Sequence, residues 1–218
     1  MTKAVIFDWD GTLADTRKAV VQSFQTVLTK AGCKVSNEFL VRLMGVGTKK
    51  TIIEAFKKCN KRINVETLEE MSKEKVRIQS ELTDLVKVFR GTIELLDELK
   101  GKTKLAVATM SGKPVIDETL SKKKLESYFE AVISADDVNN PKPNPEVFLK
   151  TAKVLGVRPK DCVVIEDSIF GVKAAKDAGM KCVAVSSGVY SKQELLQENP
   201  DVVVDGVWEK DRILRVIF

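Results

Sequence analysis

The hydrophobic positions of the chain follow two different periods, and the change between them divides the sequence. An unbroken apolar run from Ala4 to Phe7 is typical of a buried parallel strand. From about Asp15 the apolar residues recur every three or four positions, which predicts helices up to about residue 86 with no strand among them. From Arg90 to the C terminus, short apolar runs alternate with helical patterns.

This order predicts an α/β protein with a doubly wound parallel sheet and an inserted α-helical cap domain. We expect residues 1–15 and 87–218 to form the core domain and residues 16–86 to form the cap domain. The later strands are expected near residues 104–109, 131–134, 162–165, 181–185 and 201–204. The longest cap helix, about residues 65–86, has a predicted buried face of Leu68, Met71, Ile78, Leu82 and Leu85.

Composition narrows the classes of function. The 218 residues are 44% hydrophobic and 31% charged, which fits a globular protein with a sizeable core. The net charge of +5 is spread over scattered lysines and only 6% of residues are aromatic, so we expect no nucleic-acid partner. No run approaches the roughly 18 apolar residues of a membrane span, so we expect no membrane partner either. The expected oligomeric state is a monomer or weak homodimer.

Cysteine and histidine usage adds two constraints. The four cysteines form no Cys-x-x-Cys pair, and Cys162 and Cys182 lie in apolar runs where a free thiol acts as a small hydrophobe. Asp8 interrupts the first apolar run, which argues against a signal peptide, so a reducing, cytoplasmic location is the simplest interpretation. The chain has no histidine, which excludes a Ser-His-Asp triad and a His-ligated zinc site.

Two carboxylates follow the first predicted strand. Asp8 and Asp10 stand where that strand ends, and Gly11 supplies the break. In an open α/β sheet, ligands bind outside the carboxyl ends of the strands. Neighbouring carboxylates repel unless a proton or a cation relieves them, and ligation by oxygen alone suits Mg²⁺. Taken alone, the pair is equally well explained as two solvated acids at a strand end.

Other predicted strand ends carry polar residues too. Thr109 ends the second strand of the predicted core, Lys142 follows the third, and Glu166 with Asp167 follows the fourth. Each has a structural alternative: a strand terminus, a lysine in a surface loop, or a helix start favoured by the helix dipole. Because parallel strands end at one edge of a sheet, the whole set predicts a shared crevice.

The order of these residues resembles the four motifs of the haloacid dehalogenase superfamily. Residues 8–13, Asp-Trp-Asp-Gly-Thr-Leu, are similar to the first motif, and residues 105–109 to the second, which ends in Thr or Ser. Residues 142–145 are similar to the third motif and residues 165–168, with the glycines and alanines that follow, to the fourth. The helical block is similar to the cap of the branch containing phosphoglycolate phosphatase and β-phosphoglucomutase. The resemblance implies a Mg²⁺-dependent phosphatase acting on a small phosphomonoester of the phosphoglycolate or sugar-phosphate class.

The resemblance also implies a role for each matched residue. Asp8 is expected to attack phosphorus and form an aspartyl phosphate, and Asp10 to protonate the leaving oxygen and then activate water. Mg²⁺ is expected on Asp8, the backbone carbonyl of Asp10, and Asp167, with Glu166 behind these ligands; direct ligation by Glu166 is the alternative. The groups expected to bind the phosphate oxygens are Thr109, Lys142 and backbone N–H groups near Trp9 and Met110.

The loop between the second and third predicted cap helices is the candidate for substrate choice. It carries Gly45, Gly47, Thr48 and Lys49. Its composition alone favours an ordinary helix–helix loop, and the alternative is a loop that reaches over a small phosphorylated metabolite. The sequence does not identify the leaving alcohol.

Other activities within this superfamily are less well supported. Dehalogenases attack carbon without a metal, and phosphonoacetaldehyde hydrolases carry a small residue in place of Asp10, so Asp10 speaks against both. The latter also need a cap lysine, and Lys49 and Lys50 keep that question open. β-Phosphoglucomutases carry a histidine just after the first motif, and its absence here favours hydrolysis over phosphomutase activity. A non-catalytic phosphate-binding protein is the remaining alternative.

Overall fold

The computed structural model describes residues 1–218, and eight strands form its two sheets. The strands are β1 (Ala4–Phe7), β2 (Ala14–Asp15), β3 (Lys87–Val88), β4 (Lys104–Ala108), β5 (Ala131–Ile133), β6 (Cys162–Glu166), β7 (Lys181–Val185) and β8 (Val202–Val204). Six of them form one sheet in the order β5-β4-β1-β6-β7-β8, with every neighbouring pair parallel. The predicted doubly wound parallel sheet is confirmed.

Burial explains why the strands read as unbroken apolar runs. Every residue of β1 and β6 is buried, because one apolar cluster covers each face of the sheet. The covering helices are α5 (Thr92–Leu99), α6 (Lys113–Lys123), α7 (Glu146–Leu155), α8 (Ile169–Asp177), α9 (Lys192–Leu196) and α10 (Lys210–Ile217). Since β1 is central, its carboxyl end lies between those of β4 and β6.

The segment between β2 and β3 is helical throughout, apart from its connecting turns. It contains the helices α1 (Arg17–Lys30), α2 (Asn37–Arg42), α3 (Thr48–Lys58) and α4 (Val65–Glu81) and a 3₁₀ turn, Thr83–Leu85. These helices bury their own apolar cluster, separate from the two that cover the sheet. We call residues 16–86 the helical insert; its status as a separate cap domain stays a prediction.

The insert leaves and rejoins the core at one place. The strands β2 and β3 pair antiparallel, with Ala14 opposite Val88 and Asp15 opposite Lys87. This two-stranded ribbon was not predicted, because two-residue strands carry no readable period. The two points at which the chain enters and leaves the helical segment therefore lie side by side.

The predicted buried face of α4 is only partly right. Met71 is buried, but Leu68 and Ile78 are only half-buried, and the other buried residues of the helix are polar: Ser72, Lys75 and Gln79. The reason is that α4 packs against α1 and α3 on one side and against α6 of the core on another. A polar stripe of the helix is therefore buried.

The cysteines divide into one bonded pair and two thiols. Cys33 and Cys59 form a disulfide within the insert, with Cα atoms 5.8 Å apart, whereas Cys162 and Cys182 are free and buried as expected. The expectation of reduced thiols is wrong for the first pair. Disulfides are uncommon in reducing compartments, so this bond does not support a cytoplasmic location, which stays a prediction. None of the helices has the length and apolar character that crossing a bilayer requires.

Candidate active site

The carboxyl ends of three central strands bring the predicted polar residues together. Phe7 of β1 is in register with Val107 of β4 and Ile165 of β6, so the residues that follow each strand are neighbours. The N–H of Asp8 donates to the carbonyl of Ile165 at 2.9 Å, which extends the β1–β6 ladder by one bond. Asp8 is thereby placed at the start of the crevice by sheet geometry alone.

Lys142 is the centre of the charge arrangement. Its side chain is fully buried, and its Nζ donates to Asp8 Oδ1 at 2.7 Å, to Glu166 Oε1 at 2.8 Å and to the carbonyl of Ala108 at 3.2 Å. All three donors of the ammonium group are thus used. Burial alone lowers the pKa of Lys142, but the two carboxylates outweigh it and the pKa is raised above its usual value. The lysine is therefore held as a permanent cation.

Three carboxylates share this small buried space. Asp8, Glu166 and Asp167 each place an oxygen within 4.8 Å of the others. Burial, opposed by Lys142 and reinforced by the neighbouring acids, raises the pKa of Asp8 to about 8. Burial and the charges of Glu166 and Asp8 raise the pKa of Asp167 well above its usual value. One lysine does not compensate three carboxylates, so the site favours an additional cation.

The two acids of the fourth motif are held in different ways. Glu166 uses both oxygens, one on Lys142 and the other on the N–H of Ser168 at 2.5 Å. Asp167 accepts one hydrogen bond, from Thr12 Oγ1 at 3.2 Å. Its other oxygen packs against Gly11 and Gly188, where any Cβ would overlap the carboxylate. Asp167 therefore keeps more capacity for a cation than Glu166 does.

The set of donors fits Mg²⁺. It consists of carboxylate oxygens, carries a net negative charge and is buried, which are the conditions under which a hard dication replaces protons. Asp8 and Asp167 would hold such an ion. The carbonyl of Asp10 stays a predicted ligand, and the hydrogen bonds of Glu166 agree with the role behind the ligands that was expected for it.

Asp10 lies beside Asp8 and is held by two hydroxyl groups. Its Oδ2 accepts hydrogen bonds from Thr109 Oγ1 at 2.9 Å and from Ser111 Oγ at 2.8 Å, while its Oδ1 is buried without a partner. Thr109 therefore orients Asp10 here, beyond the phosphate-binding role expected for it. Ser111 was missed; the signal was the run of polar and small residues directly after β4.

Backbone donors complete the crevice. The N–H groups of Trp9 and Met110 donate to no acceptor in the protein, which leaves them available for phosphate oxygens. The indole of Trp9 is buried in the apolar cluster and takes no part. These two residues can therefore contribute through their backbones, as the sequence predicts.

The helical insert closes the crevice from above. A cavity of about 30 Å³ remains between Asp8, Asp10, Met110 and Ser111 of the core and a set of insert residues that includes Gly45, Gly47, Thr48 and Lys75. Of the four predicted insert residues, Lys49 is the one that does not reach this catalytic cavity, because it pairs with Glu69 outside it. The insert is held there by Arg42, which bonds Glu194 at 2.5 Å and accepts from Tyr190 Oη at 2.6 Å through its carbonyl.

Lys75 is the residue of the insert that sequence reasoning missed. It is 3% exposed, donates to Gln79 Oε1 and lies over the ring of Phe24 at 4.4 Å from the centroid. Burial lowers the pKa of Lys75 to about 8, and the charge of Asp10 opposes the shift. The available signal was its spacing, four residues after Met71, which places it on the buried stripe of α4.

Comparison with known proteins agrees with this geometry. The chain is 33% identical over 208 residues to SUPPRESSOR OF QUENCHING 1 of Arabidopsis thaliana, which covers 94% of the chain; the chain spans 20% of the length of that protein. It is 35% identical over 182 residues to the fructose-1-phosphate phosphatase YqaB of Escherichia coli, covering 83% of the chain and 95% of YqaB.

Among solved structures, a β-phosphoglucomutase from Clostridium difficile superposes with a TM-score of 0.88 at 27% identity, covering 99% of this chain and 96% of the other. The profile described as haloacid dehalogenase-like hydrolase matches residues 5–185, a span that holds the crevice and the whole insert. The prediction of a hydrolase of this superfamily is confirmed. The chain belongs to the haloacid dehalogenase-like hydrolase family.

Proposed function

We propose that this protein is a Mg²⁺-dependent phosphatase that hydrolyses a small phosphomonoester, of the phosphoglycolate or sugar-phosphate class, through an aspartyl phosphate. One observation supports it above the others: a buried aspartate is held by one oxygen on a buried lysine, with a second aspartate two residues away. Asp8 Oδ1 is fixed by Lys142, and Oδ2 accepts no hydrogen bond from the protein. That second oxygen is the one proposed to attack phosphorus.

The surrounding residues lower the cost of bringing a phosphate dianion to a carboxylate. Lys142 supplies a fixed positive charge, and the N–H groups of Trp9 and Met110 are oriented donors for the equatorial oxygens. When bound, Mg²⁺ would supply further charge compensation and orient the phosphate. Burial from bulk water strengthens each of these attractions, because the effective dielectric constant is lower than in solution.

Asp10 is proposed as the general acid and base. The hydroxyls of Thr109 and Ser111 fix one oxygen, and the unpartnered Oδ1 is free to carry a proton to the leaving oxygen. In the second step the same oxygen takes a proton from water as water attacks the aspartyl phosphate. One carboxyl group thus serves both half-reactions.

The resemblance to β-phosphoglucomutase makes a phosphomutase the second candidate. A mutase must keep water from attacking the intermediate until a second sugar phosphate has bound. The chain has no histidine with which to couple Asp10 to closure, as β-phosphoglucomutases are thought to do. We therefore propose that Asp10 activates water as soon as the leaving group has departed.

The test is a screen of sugar phosphates, phosphoglycolate, nucleotides and p-nitrophenyl phosphate, with and without Mg²⁺. We expect free phosphate from at least one small phosphomonoester, and none after chelation of the metal. With a hexose 1-phosphate, free sugar and phosphate are the expected products. Formation of hexose 6-phosphate with little phosphate release would replace the hydrolase by the mutase, and no turnover of any phosphate would leave a binding protein.

A further inference from the structure

One residue of the insert makes four contacts with the β7–α9 loop of the core, residues 186–191, and the first turn of α9. Arg42, at the end of α2, donates to Glu194 Oε1 at 2.5 Å and to the carbonyl of Val189 at 3.3 Å. Its guanidinium lies over the ring of Tyr190, 4.2 Å from the centroid, and its carbonyl accepts a hydrogen bond from Tyr190 Oη at 2.6 Å. We call these four contacts the latch.

The same loop also contacts the candidate metal site. Gly188 packs against the carboxylate of Asp167, so closely that a Cβ there would lie 1.7 Å from Oδ2. One residue earlier, Ser187 Oγ donates to the carbonyl of Gly11 at 2.8 Å, and Gly11 also packs against Oδ2 of Asp167. The loop is therefore anchored on the metal site at Gly188 and on the insert at Tyr190, only two residues later.

Tyr190 joins these two anchors rigidly. Its side chain is 3% exposed, belongs to the apolar cluster on one face of the sheet, and meets the ring of Phe170 edge to face at 6.2 Å. Burial raises the pKa of Tyr190 to about 12, against the charge of Arg42, so the hydroxyl remains a hydrogen-bond donor at neutral pH. Because the ring is fixed by packing, the position of its hydroxyl and that of the Gly188 backbone are set together.

A further contact brings the insert to the other side of Asp167. Gly45, three residues after Arg42, approaches Ser168 so closely that a Cβ there would lie 3.1 Å from Oγ. Ser168 directly follows Asp167 and is the N-cap of α8. With the latch formed, the insert thus covers the residue next to Asp167 and holds the β7–α9 loop against its carboxylate.

Charge links the closed position of the insert to a cation. Asp8, Glu166 and Asp167 share the crevice with one buried lysine, Lys142. Covering these carboxylates removes water that would solvate their charges, which costs free energy unless a cation compensates them. A bound dication therefore lowers the cost of closure, and by thermodynamic linkage closure must strengthen binding of the dication.

We propose that Arg42 and Tyr190 are positioning residues for the metal site: the latch holds Gly188 against Asp167, so that closure of the insert and Mg²⁺ binding favour each other. The inference rests on the Mg²⁺ site of the proposed function and extends it to two residues that do not line the catalytic cavity. Because they act through the backbone of Gly188, their effect falls on the affinity for the metal.

The experiment measures Mg²⁺ binding to the intact protein by isothermal titration calorimetry, without substrate. Tyr190→Phe removes the hydroxyl and keeps the ring, and it should weaken Mg²⁺ binding about fivefold; Arg42→Met should weaken it about tenfold. The double variant should bind no more weakly than Arg42→Met, because both changes break one latch. Mg²⁺ should also slow hydrogen exchange of the backbone amides in residues 43–47, and Arg42→Met should abolish this protection.

Two residues within the core provide matched controls. Tyr128 Oη donates to Asp97 at 2.6 Å, and Arg212 bonds Glu209 and the carbonyl of Val203, so each repeats part of the latch chemistry. Tyr128→Phe and Arg212→Met should leave the Mg²⁺ affinity unchanged. Wild-type affinity in both latch variants, even with a lower Tm, would overturn the inference while the phosphatase function stands. Failure of the unaltered protein to bind Mg²⁺ would overturn both.

Discussion

Two buried lysines border the reacting groups, one from the core and one from the insert, and their surroundings are opposite. Lys142 contacts two carboxylates, which raise its pKa. Lys75 contacts an amide oxygen and an aromatic ring, and burial lowers its pKa to about 8. The charge of Lys142 is thus balanced by carboxylates of the core itself. The charge of Lys75 is opposed only by Asp10, across the cavity, and by any anion bound there.

The largest effect is expected at Asp8, the carboxylate that accepts a hydrogen bond from Lys142. Asp8→Asn should reduce kcat by about 10⁴-fold or more, because an amide is a poor nucleophile. The fold should be retained, since asparagine has nearly the shape of aspartate and its amide oxygen can accept the hydrogen bond from Lys142. Phosphate release and thermal unfolding measure the two effects, with Asp117→Asn on the exposed face of α6 as the control. Covalent phosphate trapped on any other residue would reject the assignment.

The next largest effect is expected at Lys142, and it tests whether the positive charge of this buried side chain matters. Lys142→Met should lower kcat/KM by about 10³-fold and destabilise the fold by about 3–5 kcal/mol, because Asp8 and Glu166 lose their shared cation. Urea unfolding and kinetics with p-nitrophenyl phosphate check the two parts. A variant of normal stability and rate would show that the carboxylates do not need this charge.

The third prediction concerns the remaining negative charge of the core. The raised pKa values of Asp8 and Asp167 mean that the metal-free folded state holds protons that the unfolded state has lost. Stability of the metal-free protein should therefore fall as pH rises from about 4 towards 8. Saturating Mg²⁺ should restore about 3 kcal/mol, and its effect on Tm should be larger at pH 8 than at pH 6, where protons compete. Equal Mg²⁺ effects at both pH values would contradict a site on these carboxylates.

The smallest effect is expected at Lys75, the buried lysine of the insert, where activity and stability should change in opposite directions. Lys75→Met should lower kcat/KM about tenfold, because a charge facing Asp10 is lost. It should raise the free energy of unfolding at pH 7 by about 2 kcal/mol, since a folded-state pKa below the usual value marks a penalty for the buried charge. Lys58→Met should change neither quantity. A lower free energy of unfolding in Lys75→Met would show instead that the ammonium group stabilises the fold.

The sequence predicts the sheet and the core residues of the site because both follow from one regularity. Apolar runs locate buried strands, and parallel strands end at one edge, so Asp8, Thr109 and Asp167 had to meet. What it does not predict depends on packing between distant helices. A lysine on a helix is ordinarily assigned to solvent, which hid Lys75, and the Cys33–Cys59 bond depends on how the helices of the insert pack. Gly188 was missed because its role lies in its distance from Asp167.

The short ribbon of β2 and β3 has a consequence for how such proteins diversify. Because Asp15 pairs with Lys87, the 71 residues from 16 to 86 connect two strands that would otherwise form a simple hairpin. A two-residue turn could join the ribbon, and so could a helical segment of another size, without moving β1. Grafting at this one junction would exchange the helical insert and keep the strand ends that carry Asp8, Thr109 and Asp167. A lineage can thus replace the helices that cover the crevice without altering the residues at the strand ends.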